Sequence, residues 1–272
     1  MATPNLKICT VYFEGMYTPD YVDKLYNSLK RNITRDFEFY CISENPNVKA
    51  DKIFPLSQTI IKRHWHKLRF FDPKLIGAGK DDEIIIMDID QVIVQNIDEL
   101  VNYPVEKNEI VSYDKWWKSK YYLEAGFSHC TLNGGWYKFR GDSLKFIADD
   151  YKLDPEERQL RYYNNGTVHF KYYGEQNYVE DTCKENNIKI TLMPGEWIGK
   201  VNLDPETNIK NNVKYCKEFN EDYMILGNEP NSKIKIIHFA GVKDTIHEYD
   251  NWIKDYWYLS LIHISEPTRL ST

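Results

Sequence analysis

Two acidic side chains, Asp88 and Asp90, follow directly on the apolar run Ile84–Met87 in the segment IIIMDIDQVIV. Residues two apart in an extended chain face the same side, so both carboxylates can reach one cation. A hard divalent ion takes oxygen ligands and keeps waters or substrate phosphates in its shell. A diphosphate leaving group needs such an ion to neutralise its developing charge. The plain alternative is a pair of solvated acids at a strand end.

A second group comes late in the chain. His238, Gly241 and Lys243 stand at H-x-x-G-x-K spacing after the apolar run KIKII. A neutral imidazole can complete a Mn²⁺ shell beside carboxylates. A glycine lets the backbone approach a phosphate closely, and a lysine is a compact charge for phosphate oxygens. A lone histidine at a strand end is otherwise a structural one. Asn133-Gly134-Gly135 precedes a strand-like run; such glycines admit a ligand close to the backbone or form an ordinary turn. The aromatic pairs Trp116-Trp117 and Tyr121-Tyr122 fit a sugar-binding groove or a hydrophobic flap.

The DxD pair after an apolar strand, joined to the late His-Gly-Lys cluster, resembles the family 8, glycogenin-like retaining glycosyltransferases. That resemblance implies that Asp88, Asp90 and His238 bind Mn²⁺ or Mg²⁺, and that Gly241 and Lys243 contact the donor diphosphate. The lysine stands one residue earlier than in the family, and Asp244-Thr245 replaces the family's Pro-Trp. The segments YTPDYVDKLYNSLKRNI, FEFYCISENP, HWHKLRFF, DEIIIMDIDQVIVQNIDEL and GEQNYV are similar to those of uncharacterised phage and bacterial glycosyltransferases. The likeness implies further roles: Tyr12 at the nucleobase, Lys67 near the donor, and Glu175-Gln176 against the reacting face of the sugar. Each has a bland counterpart, namely core packing for Tyr12, a solvated helix face for Lys67 and a favourable helix N-terminal acid for Glu175. The expected donor is a nucleotide-diphosphate sugar, a UDP-sugar in particular, and the acceptor a hydroxyl of a glycan or another molecule. Retention through front-face attack is expected from the resemblance alone. The run hhhhDxDxV also resembles the first motif of haloacid-dehalogenase phosphatases, with Asp88 as nucleophile. That motif normally opens its domain, and here a long α/β pattern precedes it. A nucleotidyltransferase is opposed by VYFEGMYT, which is unlike a Gly-rich basic phosphate loop. A non-catalytic sugar-nucleotide-binding module stays open.

The elements that must hold these residues alternate in type. Strands are expected over Lys7–Tyr12, Phe37–Ile42, Lys52–Phe54, Ile84–Met87, Val92–Val94, Glu109–Ser112, Gly135–Phe139, Ile188–Leu192 and Lys233–Phe239. Helices are expected over Tyr21–Arg31, Trp65–Phe71 and Gly174–Glu185, with another from about Asp142. An apolar run without alternation is the mark of a parallel strand buried on both faces. The pattern predicts an α/β fold with a mostly parallel central sheet flanked by helices, and the resemblance makes it GT-A-type. The polar stretch Asn202–Asn220 reads as a surface loop.

Composition narrows the partners. The chain has 35 Lys and Arg against 41 Asp and Glu, a net charge of −6, without a basic tail, so nothing supports nucleic-acid binding. Its five cysteines form no CxxC pair, which argues against a thiolate zinc site or a disulfide framework. With no signal-peptide pattern and no long apolar span, a cytoplasmic protein without a transmembrane segment is expected. The sequons at Asn32 and Asn165 are then accidental. Leu259–Arg269 (LSLIHISEPTR) reads as the translation of a sequencing-library adapter, so a single domain over residues 1–258 is expected, with 259–272 non-native.

Overall fold

In the computed structural model, residues 5–15, 17–56, 60–61, 63–114, 130–163, 174–202, 233–240 and 256–257 are described. Strand β1 (Leu6–Tyr12) is followed by helix α1 (Asp20–Asn32), β2 (Glu38–Ser43) and β3 (Lys52–Pro55). A 3-10 segment (Arg63–Phe71) and the short α2 (Pro73–Ile76) lead into β4 (Glu83–Met87) and β5 (Gln91–Ile93). Then come α3 (Asp98–Val101), β6 (Glu109–Tyr113), β7 (Trp136–Arg140), α4 (Lys145–Leu153), α5 (Pro155–Tyr163) and α6 (Glu175–Glu185). Strands β8 (Lys189–Met193), β9 (Ile198–Asn202) and β10 (Ile236–Ala240) complete the order.

The main sheet has seven strands in the order β3-β2-β1-β4-β7-β6-β8. All its pairs are parallel except those of β7, which runs antiparallel to both β4 and β6. A smaller sheet has the order β5-β10-β9, with β5 antiparallel to β10. The expected α/β architecture with a mostly parallel sheet is therefore present.

Strand β4 shows why an unbroken apolar run forms here. Ile84 and Ile86 enter one core cluster, while Ile85 and Met87 enter the other. Both faces of the strand are covered, so no polar alternation is needed. Helix α1 packs one face through Tyr21, Val22, Leu25 and Leu29, with Asp20 and Asp23 in its first turn and Lys30 and Arg31 in its last. Those charges complement the helix dipole.

The expected helix at Trp65–Phe71 is a 3-10 segment beginning at Arg63. Its three-residue turn aligns residues i and i+3. Trp65, Leu68 and Phe71 fall on one such line and join one core cluster, whereas His64 and Lys67 fall on another. Helix α5 and strand β9 were not legible in the sequence. Helix α5 is polar (PEERQLRYY), and β9 is interrupted by Gly199 and Lys200.

Candidate functional site

The antiparallel strand β7 creates the site. Because it runs against β4, with Met87 opposite Trp136, its entry loop lies beside the exit of β4. Asn133, Gly134 and Gly135 therefore meet Asp88, and the Asp88 amide donates to the Gly135 carbonyl at 3.2 Å. The place is the carboxyl edge of the parallel strands, where open α/β sheets bind ligands. A cleft of about 430 Å³ opens there, lined among others by Lys67, Asp88, Asp90, Gly134, Glu175 and His238. Asn133 and Gln176 line it as well.

Asp88, just past the end of β4, keeps the parity of Ile84 and Ile86 and faces the 3-10 segment, while the turn at Ile89-Asp90 carries the second carboxylate to Tyr17. The buried Lys67 ammonium pairs with Asp88, donates to the Gly134 carbonyl at 2.8 Å and lies 3.5 Å from Glu175. Burial opposes its charge, but Asp88, Glu175 and Asp90 outweigh it and raise its pKa. Lys67 is thus no solvated face residue. Glu175, buried at the start of α6, also lies 3.2 Å from His64. Burial lowers the His64 pKa despite Glu175.

The second sheet brings His238 to the same cleft. Its backbone pairs with Gln91, the residue after Asp90. The His238 Nδ1 lies 3.1 Å from the Tyr113 hydroxyl, which accepts from the Gln91 amide at 2.8 Å. That amide also donates to the Gly135 carbonyl at 2.7 Å. A Cβ on Gly135 would stand 2.5 Å from the Tyr113 hydroxyl and 2.6 Å from the Gln91 nitrogen, so the position accepts only glycine. A Cβ on Gly134 would stand 2.5 Å from the Glu175 carboxylate. The close approach at both glycines is to protein atoms.

Three sequence expectations change in detail. The Tyr12 ring is not at the cleft: it is buried in the core cluster with α1, because β1 alternates and it is Val11 that faces the cleft. The aromatic side chain present is Tyr17, whose hydroxyl donates to Asp90 at 2.8 Å. Asn133 uses its side-chain oxygen within its own loop, on the Gly135 amide at 2.8 Å. Gln176 likewise accepts from the Gly134 amide at 2.9 Å and fixes the loop that carries Lys67's carbonyl partner. Gly241, Lys243, Trp116, Trp117, Tyr121 and Tyr122 lie outside the described residues.

Several residues at or behind the cleft were not singled out from sequence. Tyr17, which lines it, and Tyr113, fully buried behind His238, both have raised pKa values, chiefly from burial and then from Asp88 and Asp90, so both stay protonated. Arg63 lines the cleft in a left-handed backbone conformation (φ 44°), which costs about 1–2 kcal/mol for a residue with a Cβ. The i, i+3 spacing of His64 and Lys67 was the available signal for His64.

Two carboxylates and an imidazole on one cleft are the donor set of a hard divalent ion. Among the described residues, no group of three or more His, Cys, Asp or Glu side chains is gathered closely enough to hold a metal as it stands. Lys67 holds Asp88, Tyr17 holds Asp90 and Tyr113 holds His238. The donor types fit such an ion; their present partners are protein groups.

No family model matches the sequence, and no curated protein is similar to it. In three dimensions the chain is similar to the bifunctional glycosyltransferase WbbM, at 14% identity and a TM-score of 0.53, over 93% of this chain and 49% of that one. It is similar to the glycosyltransferase GlyE of Streptococcus pneumoniae TIGR4, at 11% identity and a TM-score of 0.54, over 87% and 55%. It is also similar to the galactosyltransferase LgtC in complex with donor and acceptor sugar analogues, at 11% identity and a TM-score of 0.55, over 96% and 98%. The chain thus spans about half of the first two and nearly all of LgtC. At such identities the likeness shows the fold alone, which is of the GT-A type. Among the described residues, no helix is long and apolar enough to cross a membrane.

Proposed function

We propose that the protein is a glycosyltransferase that moves a sugar from a nucleotide-diphosphate sugar, a UDP-sugar, to an acceptor hydroxyl of a glycan or another molecule. One observation carries the reading. Asp88 and Asp90 leave the central strand toward a single cleft, and an antiparallel pairing with Gln91 brings His238 to that cleft from the other end of the chain. The GT-A fold and its glycosyltransferase neighbours support it.

In this reading Asp88, Asp90 and His238 hold Mn²⁺ or Mg²⁺, which would have to displace Lys67 from Asp88 and Tyr17 from Asp90. When bound, the ion supplies charge neutralisation at the departing diphosphate. Lys67, released from Asp88, is a cation at the same place, and Gly241 with Lys243 would complete the diphosphate contacts. Glu175 stands against the sugar face, and Gln176 keeps the Gly134 loop in position. Retention follows from the family resemblance. A phosphatase using Asp88 as nucleophile is not favoured: its carboxylate is neutralised by Lys67 at the end of the fourth strand.

The test is a thermal-shift panel of nucleoside diphosphates and UDP-sugars with and without Mn²⁺. A rise in midpoint for a uridine nucleotide only when Mn²⁺ is present is expected. No shift with any nucleotide, with or without the ion, sinks the proposal.

A further inference from the structure

Among the described residues, lysine and arginine each give the cleft wall one cation, Lys67 and Arg63, and the two are placed differently. Lys67 is buried and engaged, paired with Asp88 and donating to the Gly134 carbonyl. Arg63 is exposed, and among the described residues no hydrogen bond or ion pair holds its guanidinium. Its backbone stands in the left-handed region (φ 44°), where a residue with a Cβ is strained and glycine is not. Asn187 is the other described non-glycine residue there, and asparagine adopts that conformation readily. Such strain persists where the surrounding structure imposes it, and it concentrates at ligand sites. The buried Trp65, Leu68 and Phe71 anchor the segment that Arg63 opens.

The contacts of that segment locate Arg63 along the cleft. Lys67 meets Asp88 and Glu175, and His64, on the same line of the 3-10 turn, lies 3.2 Å from Glu175. Arg63 comes next, and its charge is felt at His64. Four residues at about 2 Å of rise put the Arg63 backbone about 8 Å beyond that of Lys67. The acids proposed for the metal and the donor diphosphate are thus at the Lys67 end, and Arg63 is at the other.

We propose that Arg63 is a specificity-determining residue that selects an acceptor carrying a negative charge, a carboxylate or a phosphate, beside its attacking hydroxyl. The inference rests on the glycosyltransferase reading and adds the chemical class of the acceptor. Asp88, Asp90 and Glu175 outnumber Lys67 in the cleft, so an anionic acceptor needs a cation of its own there. The planar guanidinium meets a carboxylate or a phosphate through two parallel hydrogen bonds, which a neutral hydroxyl cannot match. Glycine at position 63 would relieve the backbone, so the arginine side chain serves the ligand rather than the fold.

The experiment titrates sugars calorimetrically into protein loaded with UDP and Mn²⁺. Galactose, galacturonate and galactose 6-phosphate are the probes: one ring with a hydroxyl, a carboxylate or a phosphate at the same end. At least one anionic sugar is expected to bind about tenfold or more tightly than galactose, and the tighter of the two identifies the charged group selected. In Arg63→Gln that ratio should fall to within about twofold, with UDP affinity held within about twofold. Arg63→Gly should lose the preference equally while its thermal midpoint rises, which separates the loss from misfolding. Arg63→Lys keeps the charge without the fork and should retain part of the preference. Equal binding of all three sugars by the wild type, or an unchanged preference in Arg63→Gln, overturns the assignment and leaves the transferase reading intact. Weaker UDP binding in Arg63→Gln with the sugar ratio unchanged places the arginine on the donor and overturns it as well. A wild type that binds no uridine nucleotide with Mn²⁺ removes the transferase reading and this inference together.

Discussion

The two ends of strand β4 carry the same chemistry with opposite consequences. Beyond its carboxyl end, the buried Lys67 meets Asp88 and Glu175 and opens onto a cleft. At its amino end, the fully buried Lys138 meets Glu83 at 3.2 Å and the carbonyls of Val101 and Tyr103 at 2.6 Å each. There Arg35 competes for the same carboxylate at 2.6 Å. Burial, with Arg35 and Arg140 beside it, outweighs Glu83 and pulls the Lys138 pKa down to about 8. At Lys67 the surrounding acids outweigh burial, and the pKa rises. The difference is the number of carboxylates per cation. Negative charge in excess beside an opening offers a site to an incoming cation, whereas positive charge in excess inside a seal serves only the fold.

That contrast is open to attack from both ends. The largest effect is expected at the cleft. Asp90→Ala should lower metal-dependent UDP-sugar hydrolysis by about 10³-fold, with the protein still folded at a cost of about 1–3 kcal/mol for the Tyr17 hydroxyl that loses its acceptor. Activity at the wild-type level in that variant would remove the carboxylate pair from the chemistry. At the other end, Glu83→Ala strands Lys138 and Arg35 without their shared carboxylate. A loss of about 3 kcal/mol in unfolding free energy is expected, with activity per folded molecule unchanged. Denaturant titration measures the first quantity, and an unchanged midpoint would show that the amino-end cluster is not structural.

The smallest effect is in pH dependence. Lys138 has a folded pKa near 8, below its unfolded value of about 10.4, so between those values the unfolded chain binds more protons. Stability should therefore rise with pH across that window, by up to about 3 kcal/mol from this residue. Lys138→Met should flatten the slope, which urea titrations at several pH values would detect. An identical slope in that variant would place the titration elsewhere.

Much of this was legible in the sequence because it rests on local periodicity. The unbroken run Ile84–Met87 marks a strand covered on both faces, with Asp88 directly after it; the expected extended spacing of Asp88 and Asp90 is replaced by a turn at residues 89–90, and both acids still line one cleft. The order of strands and helices marks an α/β sheet. Helix α5 escaped because no apolar face announces it, and the 3-10 geometry of Arg63–Phe71 escaped because i, i+3 contacts suit either helix type.

Alternation along a strand states that neighbouring side chains part company, but not which of them faces the ligand. That choice sent Tyr12 into the core and left Val11 at the cleft. Partners distant in sequence were equally unreadable: His64 with Glu175, Tyr17 with Asp90 and His238 with Tyr113 all depend on how elements pack. Local spacing thus determined the acids and the strand that presents them. Only the antiparallel course of β7, the pairing of β10 with β5 and the docking of the 3-10 segment decided what those acids meet, since charge and hydrogen bonding act through space rather than along the chain.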